Sequence, residues 1–303
     1  MIDVKQTVVA ILCVTLVASC GDAETPAPTS KAPESRLLIG LVPEYTIFDQ
    51  IQRYEPLAAY LSAKIGVRIR LKVLSSYGEI LHDFDTKELD GAFFGSFAYA
   101  LVHERVGVLP VARPINPDAS SSYHGLIFVR RDSGIRTIAE MRGKRFAFVD
   151  KLTTAGYLLP LDYFQGSGVG NYESYFAETY FTGTHEAAIN DVLRGRADIG
   201  AAKNTVFANL AARDPRVARD LVVLAHSPAV PENALALRGD IDESVRSRLK
   251  ETLLNMSEEP EGRAVLRRFG ALGFVETTNR DYEPVYRYAR QLHLDLTTYD
   301  PEK

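Results

Sequence analysis

Arg145-Phe-Ala-Phe-Val-Asp150-Lys-Leu-Thr153-Thr154-Ala155-Gly156-Tyr157-Leu-Leu-Pro160 reads as a strand, a loop of small residues and the opening of a helix. Residues 145–149 alternate and are rich in aromatic and β-branched side chains, the pattern of a short buried strand. Thr153, Thr154, Ala155 and Gly156 form a turn, and 157–164 starts a helix. A helix entered this way has backbone N–H groups without carbonyl partners. Those donors and the positive end of the helix dipole favour an anion. The two threonine hydroxyls add donors at the same place. Threonine is also a common helix cap, so the stretch alone fits either an anion loop or an ordinary cap. Asp150, at the strand end, fits a residue that caps the turn.

Outward from this stretch the chain alternates strands and helices. Residues 36–42, 67–74 and 89–94 read as strands, and 54–65, 78–85 and 95–105 as helices. That rhythm predicts an α/β lobe with a mostly parallel sheet. Residues 122–130 read as a strand that crosses into a second lobe. There, 178–182, 197–202 and 221–225 are strands, and 183–194 and 206–213 are helices. Residues 226–233 cross back, and 242–255, 260–269 and 282–292 read as closing helices. In open α/β sheets, ligands lie outside the carboxyl ends of strands. Thr153, Thr154 and His185 all follow strands there. The helix N-terminus disfavours a charged imidazole, so His185 is expected to be neutral with one N–H free to donate.

The chain begins with a short apolar run, 8–18, that ends in Val17-Ala18-Ser19-Cys20. This looks like a bacterial lipobox, with 1–19 as signal peptide and Cys20 lipidated to anchor the protein to a membrane on the periplasmic side. Residues 20–35 are rich in Ala, Pro, Thr and Ser and read as a flexible tether. Cys13 and Cys20 are the two cysteines of the chain. The folded part therefore has no disulfide, thiol nucleophile or thiolate metal site, and no cofactor or metal is expected. The formal charge of −4 gives no basic excess for nucleic acid.

Asp150-Lys-Leu-Thr153-Thr154-Ala155-Gly156-Tyr157-Leu-Leu-Pro160 resembles the Asp-Pro-x-Ser-Thr-Ser-Gly-Tyr-x-x-Pro signature of phosphonate/phosphate/phosphite-binding periplasmic proteins of ABC importers. Lys151 stands where that signature has proline, and Ala155 where it has a third hydroxyl residue. Other segments match in the same order. Ser-Ser-Tyr77-Gly-Glu-Ile and Leu89-Asp90-Gly-Ala-Phe93-Phe94-Gly95 come first, with Phe94 in place of a ligand-contacting tyrosine. Thr-Gly-Thr-His185-Glu-Ala-Ala-Ile and Ser227-Pro-x-x-Pro231 follow.

The resemblance implies a type II periplasmic-binding-protein fold, two α/β lobes joined by two crossing segments, with 36–122 and 234–303 as one lobe and 123–233 as the other. It implies a monomeric receptor that closes on a small oxyanion and delivers it to an ABC permease, or else a sensory subunit feeding a histidine kinase. Tyr77, Phe94, Thr153, Thr154, Ala155, His185, Thr205 and Asn233 are the ligand-binding candidates. Receptors of this family that take aminoalkyl phosphonates use acidic residues for the ammonium. Here Thr205 and Asn233 stand at those positions, with Glu232 one residue away, so an amine-free anion is expected. An enzyme would need a paired nucleophile and base. Thr153 and His185 are candidates for such a pair, but no carboxylate is placed to orient the histidine.

Overall fold

The computed structural model describes residues 36–301. Cys13, Cys20, the apolar run and the tether lie outside the described residues. The chain opens with β1 (Arg36–Leu41), α1 (Ile47–Ile65), β2 (Arg68–Val73), α2 (Glu79–Asp85), β3 (Gly91–Phe94), α3 (Ser96–Val106) and β4 (Leu109–Ile115). It crosses through β5 (Ser122–Tyr123) into β6 (Gly125–Arg130), β7 (Arg145–Phe148), α4 (Leu159–Gly166), α5 (Tyr172–Tyr175) and β8 (Glu178–Phe181). There follow α6 (His185–Leu193), β9 (Ile199–Lys203), α7 (Asn204–Arg213), α8 (Pro215–Asp220) and β10 (Leu221–His226). The return through β11 (Val230–Pro231) leads to β12 (Ala234–Leu237), α9 (Glu243–Asn255), α10 (Pro260–Phe269), β13 (Gly273–Glu276) and α11 (Glu283–Gln291).

Two sheets result. The first runs β13-β4-β12-β3-β1-β2 and the second β10-β6-β9-β7-β8. Each is mixed, which corrects the expectation of a mostly parallel sheet. In the first, β1 pairs in parallel with β2 and β3, but β12 and β13 bring antiparallel pairs with β3 and β4. The sequence reading passes over β4, β12 and β13 for a physical reason. β4 contains Pro110 and Pro114, which demote a run as a central strand. Its pairing with β12 shifts register near Pro110, where the lost donor is absorbed. The reading also starts the first helix at Tyr54, whereas α1 starts at Ile47, with Thr46 Oγ1 accepting the Asp49 N–H at 3.3 Å.

Each lobe buries its own apolar groups. Leu57, Leu61, Phe93, Leu253 and Phe269 join α1, α9 and α10 to one face of the first sheet. Phe146, Phe164 and Phe176 fill one face of the second sheet, while Phe128, Ile189 and Val206 fill the other. A further cluster belongs to both lobes. Val42, Tyr77, Phe94 and Phe97 of the first pack with Val149, Leu152, Ala155 and Ala188 of the second, around Tyr123 of the crossing. The cleft is therefore shut. β5 and β11, the two crossings, pair antiparallel with Tyr123 opposite Val230 and Ser122 opposite Pro231.

Candidate functional site

The turn after β7 is held by Asp150. Its Oδ1 accepts the Leu152 N–H at 2.8 Å, and its carbonyl accepts the Thr153 hydroxyl at 2.6 Å. Residues Thr154–Leu158 then form one wide π-helical turn that runs directly into α4. Gly156 permits this turn. A Cβ there would come within 2.3 Å of Val149 Cβ and 2.7 Å of Thr153 Oγ1, so the loop can fold back onto the strand end only with glycine.

The two threonines separate in role. Thr153 turns its hydroxyl into its own loop, whereas Thr154 reaches the other lobe. The Phe97 N–H in the first turn of α3 donates to Thr154 Oγ1 at 2.8 Å. Gly95, at the cap position of α3, supplies no side-chain partner, so Thr154 serves that helix end from across the cleft. Ser96, beside it, donates its hydroxyl to the Pro231 carbonyl at 2.5 Å. Ala155 is buried next to Thr154 and offers only backbone.

His185 opens α6 after Thr184, whose Oγ1 accepts the Ala187 N–H at 3.0 Å. It is buried, and its Nδ1 accepts the Lys203 N–H at 3.3 Å, which leaves the proton on Nε2. Burial, and then the nearby Lys203 charge, lower its pKa to about 3, so the imidazole is neutral. Tyr77 is buried in the turn before α2, and burial raises the pKa of its hydroxyl. Phe94 is wholly buried among Phe84 and Tyr99, with ring centroids 5.3 and 6.3 Å away.

A charged cluster that the sequence reading did not anticipate completes the site. Lys203, the last residue of β9, sends its ammonium to Glu44 Oε1 at 3.0 Å, to Glu232 Oε1, and to Asn233 Oδ1 at 3.1 Å. The Tyr123 ring lies 4.5 Å from Nζ and belongs to the same apolar cluster as Phe97 and Ala155. The second oxygen of Glu232 accepts the Asn116 amide at 3.2 Å. Burial disfavours the lysine charge, but Glu232 and Glu44 outweigh it and raise the pKa of Lys203.

This cluster adds buried charge beside the neutral donors. Glu232, placed one position from an expected acid, is buried at the site with its charge offset by Lys203. Asn233 sits beside it as foreseen, but its Oδ1 already accepts from Lys203. Its Nδ2 is buried without a hydrogen-bond partner, so what it has left to offer is a donor. Thr205, half-buried in the first turn of α7, is not among the groups around the ammonium. A lysine that ends the apolar strand Ile-Gly-Ala-Ala-Lys203 was the one sequence signal of a buried charge.

Chemically, the N-terminus of α3 meets Thr154, and the Nε2–H of His185 and the Asn233 amide stand beside Lys203; all four are groups suited to oxygen atoms of an anion. Among the candidate nucleophiles, the Thr153 hydroxyl is committed to its own loop, and the acceptor nitrogen of His185 is already in use.

A family model described as the periplasmic substrate-binding protein of a phosphonate ABC transporter matches residues 39–282. Among curated proteins, the chain is 23% identical over 287 residues to the phosphonates-binding periplasmic protein of Escherichia coli K12, spanning 93% of this chain and 84% of that protein. It is 22% identical over 266 residues to a probable ABC transporter phosphite binding protein of Prochlorococcus marinus MIT 9301, spanning 85% and 90%. Two solved structures share its fold. A binding-protein component of an ABC phosphonate transporter from Pseudomonas aeruginosa superposes with a TM-score of 0.78 at 19% identity, covering 84% of this chain and 85% of that one. The Prochlorococcus marinus protein in complex with methylphosphonate superposes with a TM-score of 0.77 at 21% identity, covering 86% and 99%.

Proposed function

The chain belongs to the family of periplasmic substrate-binding proteins of phosphonate ABC transporters, and from that membership we propose that it captures a small phosphorus oxyanion and delivers it to an ABC importer. Phosphate, phosphite and a small phosphonate are the ligands in question. One observation carries the reading. The N-terminus of α3 in one lobe and the Thr154 turn in the other meet at a single hydrogen bond, Phe97 N–H to Thr154 Oγ1, 2.8 Å long. An oxyanion entering there gains donors from both lobes at once, and the His185 Nε2–H and Asn233 Nδ2 are further donors for it. Neutral donors bind strongly once the cleft is shut and water is excluded, and release when it opens.

The lobes that close are 36–122 with 234–303, and 123–233. The chain acts as a monomer on the periplasmic side. A lipid on Cys20 holds it at the membrane beside its permease, and Cys20→Ser releases it to the soluble fraction. Calorimetry of the purified protein with phosphate, phosphite and methylphosphonate tests the ligand class, with sulfate as comparison. Heat of binding is expected from at least one phosphorus anion. Heat from none of the three overturns the reading.

A further inference from the structure

Lys203 has an environment that a lysine seldom occupies. Its side chain and those of Glu44 and Glu232 are about nineteen-twentieths or more removed from solvent. An ammonium has three N–H donors, and here each has a partner: Glu44 Oε1, Glu232 Oε1 and Asn233 Oδ1. The face of Tyr123 closes the remaining side. Two carboxylates, an amide oxygen and an aromatic face are what a site needs to recognise a primary ammonium.

We infer that this is a primary-ammonium subsite of the ligand cleft, occupied by the chain's own lysine, so that the cleft takes phosphorus oxyanions without an amine. The inference rests on the oxyanion reading above. The subsite belongs to the cleft because Tyr123 joins the two: its ring lies on Lys203 and packs in the same cluster as Phe97 and Ala155. His185 makes a second link through the Lys203 backbone N–H.

The charges explain why the lysine is retained. Without it, two buried carboxylates would face a bound anion one tyrosine ring away. With it, one of the two is offset. Lys203 has no proton left for the ligand, so it acts by its field and by filling space. Specificity then comes from exclusion: the ammonium of an aminoalkyl phosphonate would meet a filled box.

The test compares methylphosphonate with aminoethylphosphonate in calorimetry, on the parent and on Lys203→Ala and Lys203→Met. The parent is expected to bind methylphosphonate at least tenfold more tightly than aminoethylphosphonate. In Lys203→Ala the ratio is expected to shift at least tenfold toward the amine, whose ammonium takes the vacated place. Adding Glu232→Gln to Lys203→Ala is expected to remove that gain. A parent that binds the two equally overturns the inference, as does a folded Lys203→Ala or Lys203→Met with no shift in the ratio. Should neither variant fold, the parent comparison decides alone. A parent that binds no phosphorus anion at all instead overturns the oxyanion reading, so the two failures are told apart.

Discussion

At the Thr154 end of the cleft the binding groups are neutral, and each lies within a short local motif. Asp150, Thr153, Thr154 and Gly156 make one loop, and Gly95, Ser96 and Phe97 make one helix start. At the Lys203 end the groups are charged and come from three distant places, Glu44, Lys203 and Glu232. The first end is made by backbone geometry that a few neighbouring residues impose. The second exists only after both lobes and a crossing have come together. The comparison teaches that, on the function proposed above, the neutral end is the part suited to hold an anion, while the charged end ties residues of both lobes together.

The largest effect should come from the charged end. Lys203→Met leaves two buried carboxylates without their cation, and breaking a buried pair in this way costs about 3–5 kcal/mol. Urea unfolding without ligand measures it. A loss below about 1 kcal/mol would mean that the cluster is not the fixed, buried pair described here. Next is pH. The His185 pKa is lowered to about 3 in the folded protein by burial and then by Lys203. The unfolded chain takes up a proton at about pH 6.5 that the folded one refuses. This contribution is therefore fully present above pH 6.5 and is lost as pH falls from there towards 3. Stability measured from pH 7 to pH 4 should drop more steeply in the parent than in His185→Gln; equal slopes would show that the imidazole is not buried as described.

The neutral end should show the opposite balance. Thr154→Val is expected to reduce affinity for the bound anion by about 1.5–3 kcal/mol, the range for a hydrogen bond to a charged group. Its unfolding free energy without ligand should change far less than that of Lys203→Met. Calorimetry and urea melts on the same preparation give both numbers, and unchanged affinity would remove the Thr154 turn from the site. The smallest effect is expected at the rim. Asp49 pairs with Arg213 at 3.0 Å between α1 and α7, but the arginine side chain is half exposed. Asp49→Asn should change stability by no more than about 1 kcal/mol. A larger loss would show that closure rests on rim charges and not on the buried cluster.

The same contrast explains what was legible in the sequence. The loop at Thr154 and the helix start at His185 could be read because both depend on neighbours in the chain: small residues, a strand before and a helix after. The parallel core β1, β2, β3 was legible for the same reason, since each strand alternates or is continuously apolar. β4 was hidden by its prolines, whereas β12 and β13, no shorter than β3, lie in stretches left unread before and between the closing helices. Glu44 was hidden because an acid in a Pro-containing loop, as in Pro43-Glu44-Tyr45, reads as solvated, and Glu232 was legible only as the neighbour of an expected acid, without its pairing to Lys203. Only the fold brings a lysine to them. The division of labour between Thr153 and Thr154 was equally closed to sequence, since it is set by which hydroxyl the π-helical turn aims across the cleft.

The ribbon formed by β5 and β11 has a mechanical consequence. Two strands bonded side by side flex across their shared plane, but they resist sliding past each other because sliding breaks the bonds that join them. Relative movement of the lobes is thereby steered toward bending at this ribbon and away from shear. Tyr123 lies in one leaf of this spring, and Glu232 follows directly on the other. Any change in the angle between the lobes displaces the aromatic face and a carboxylate that surround Lys203. The environment of Lys203 and the angle between the lobes are thus tied to the same residues, with no relay between them.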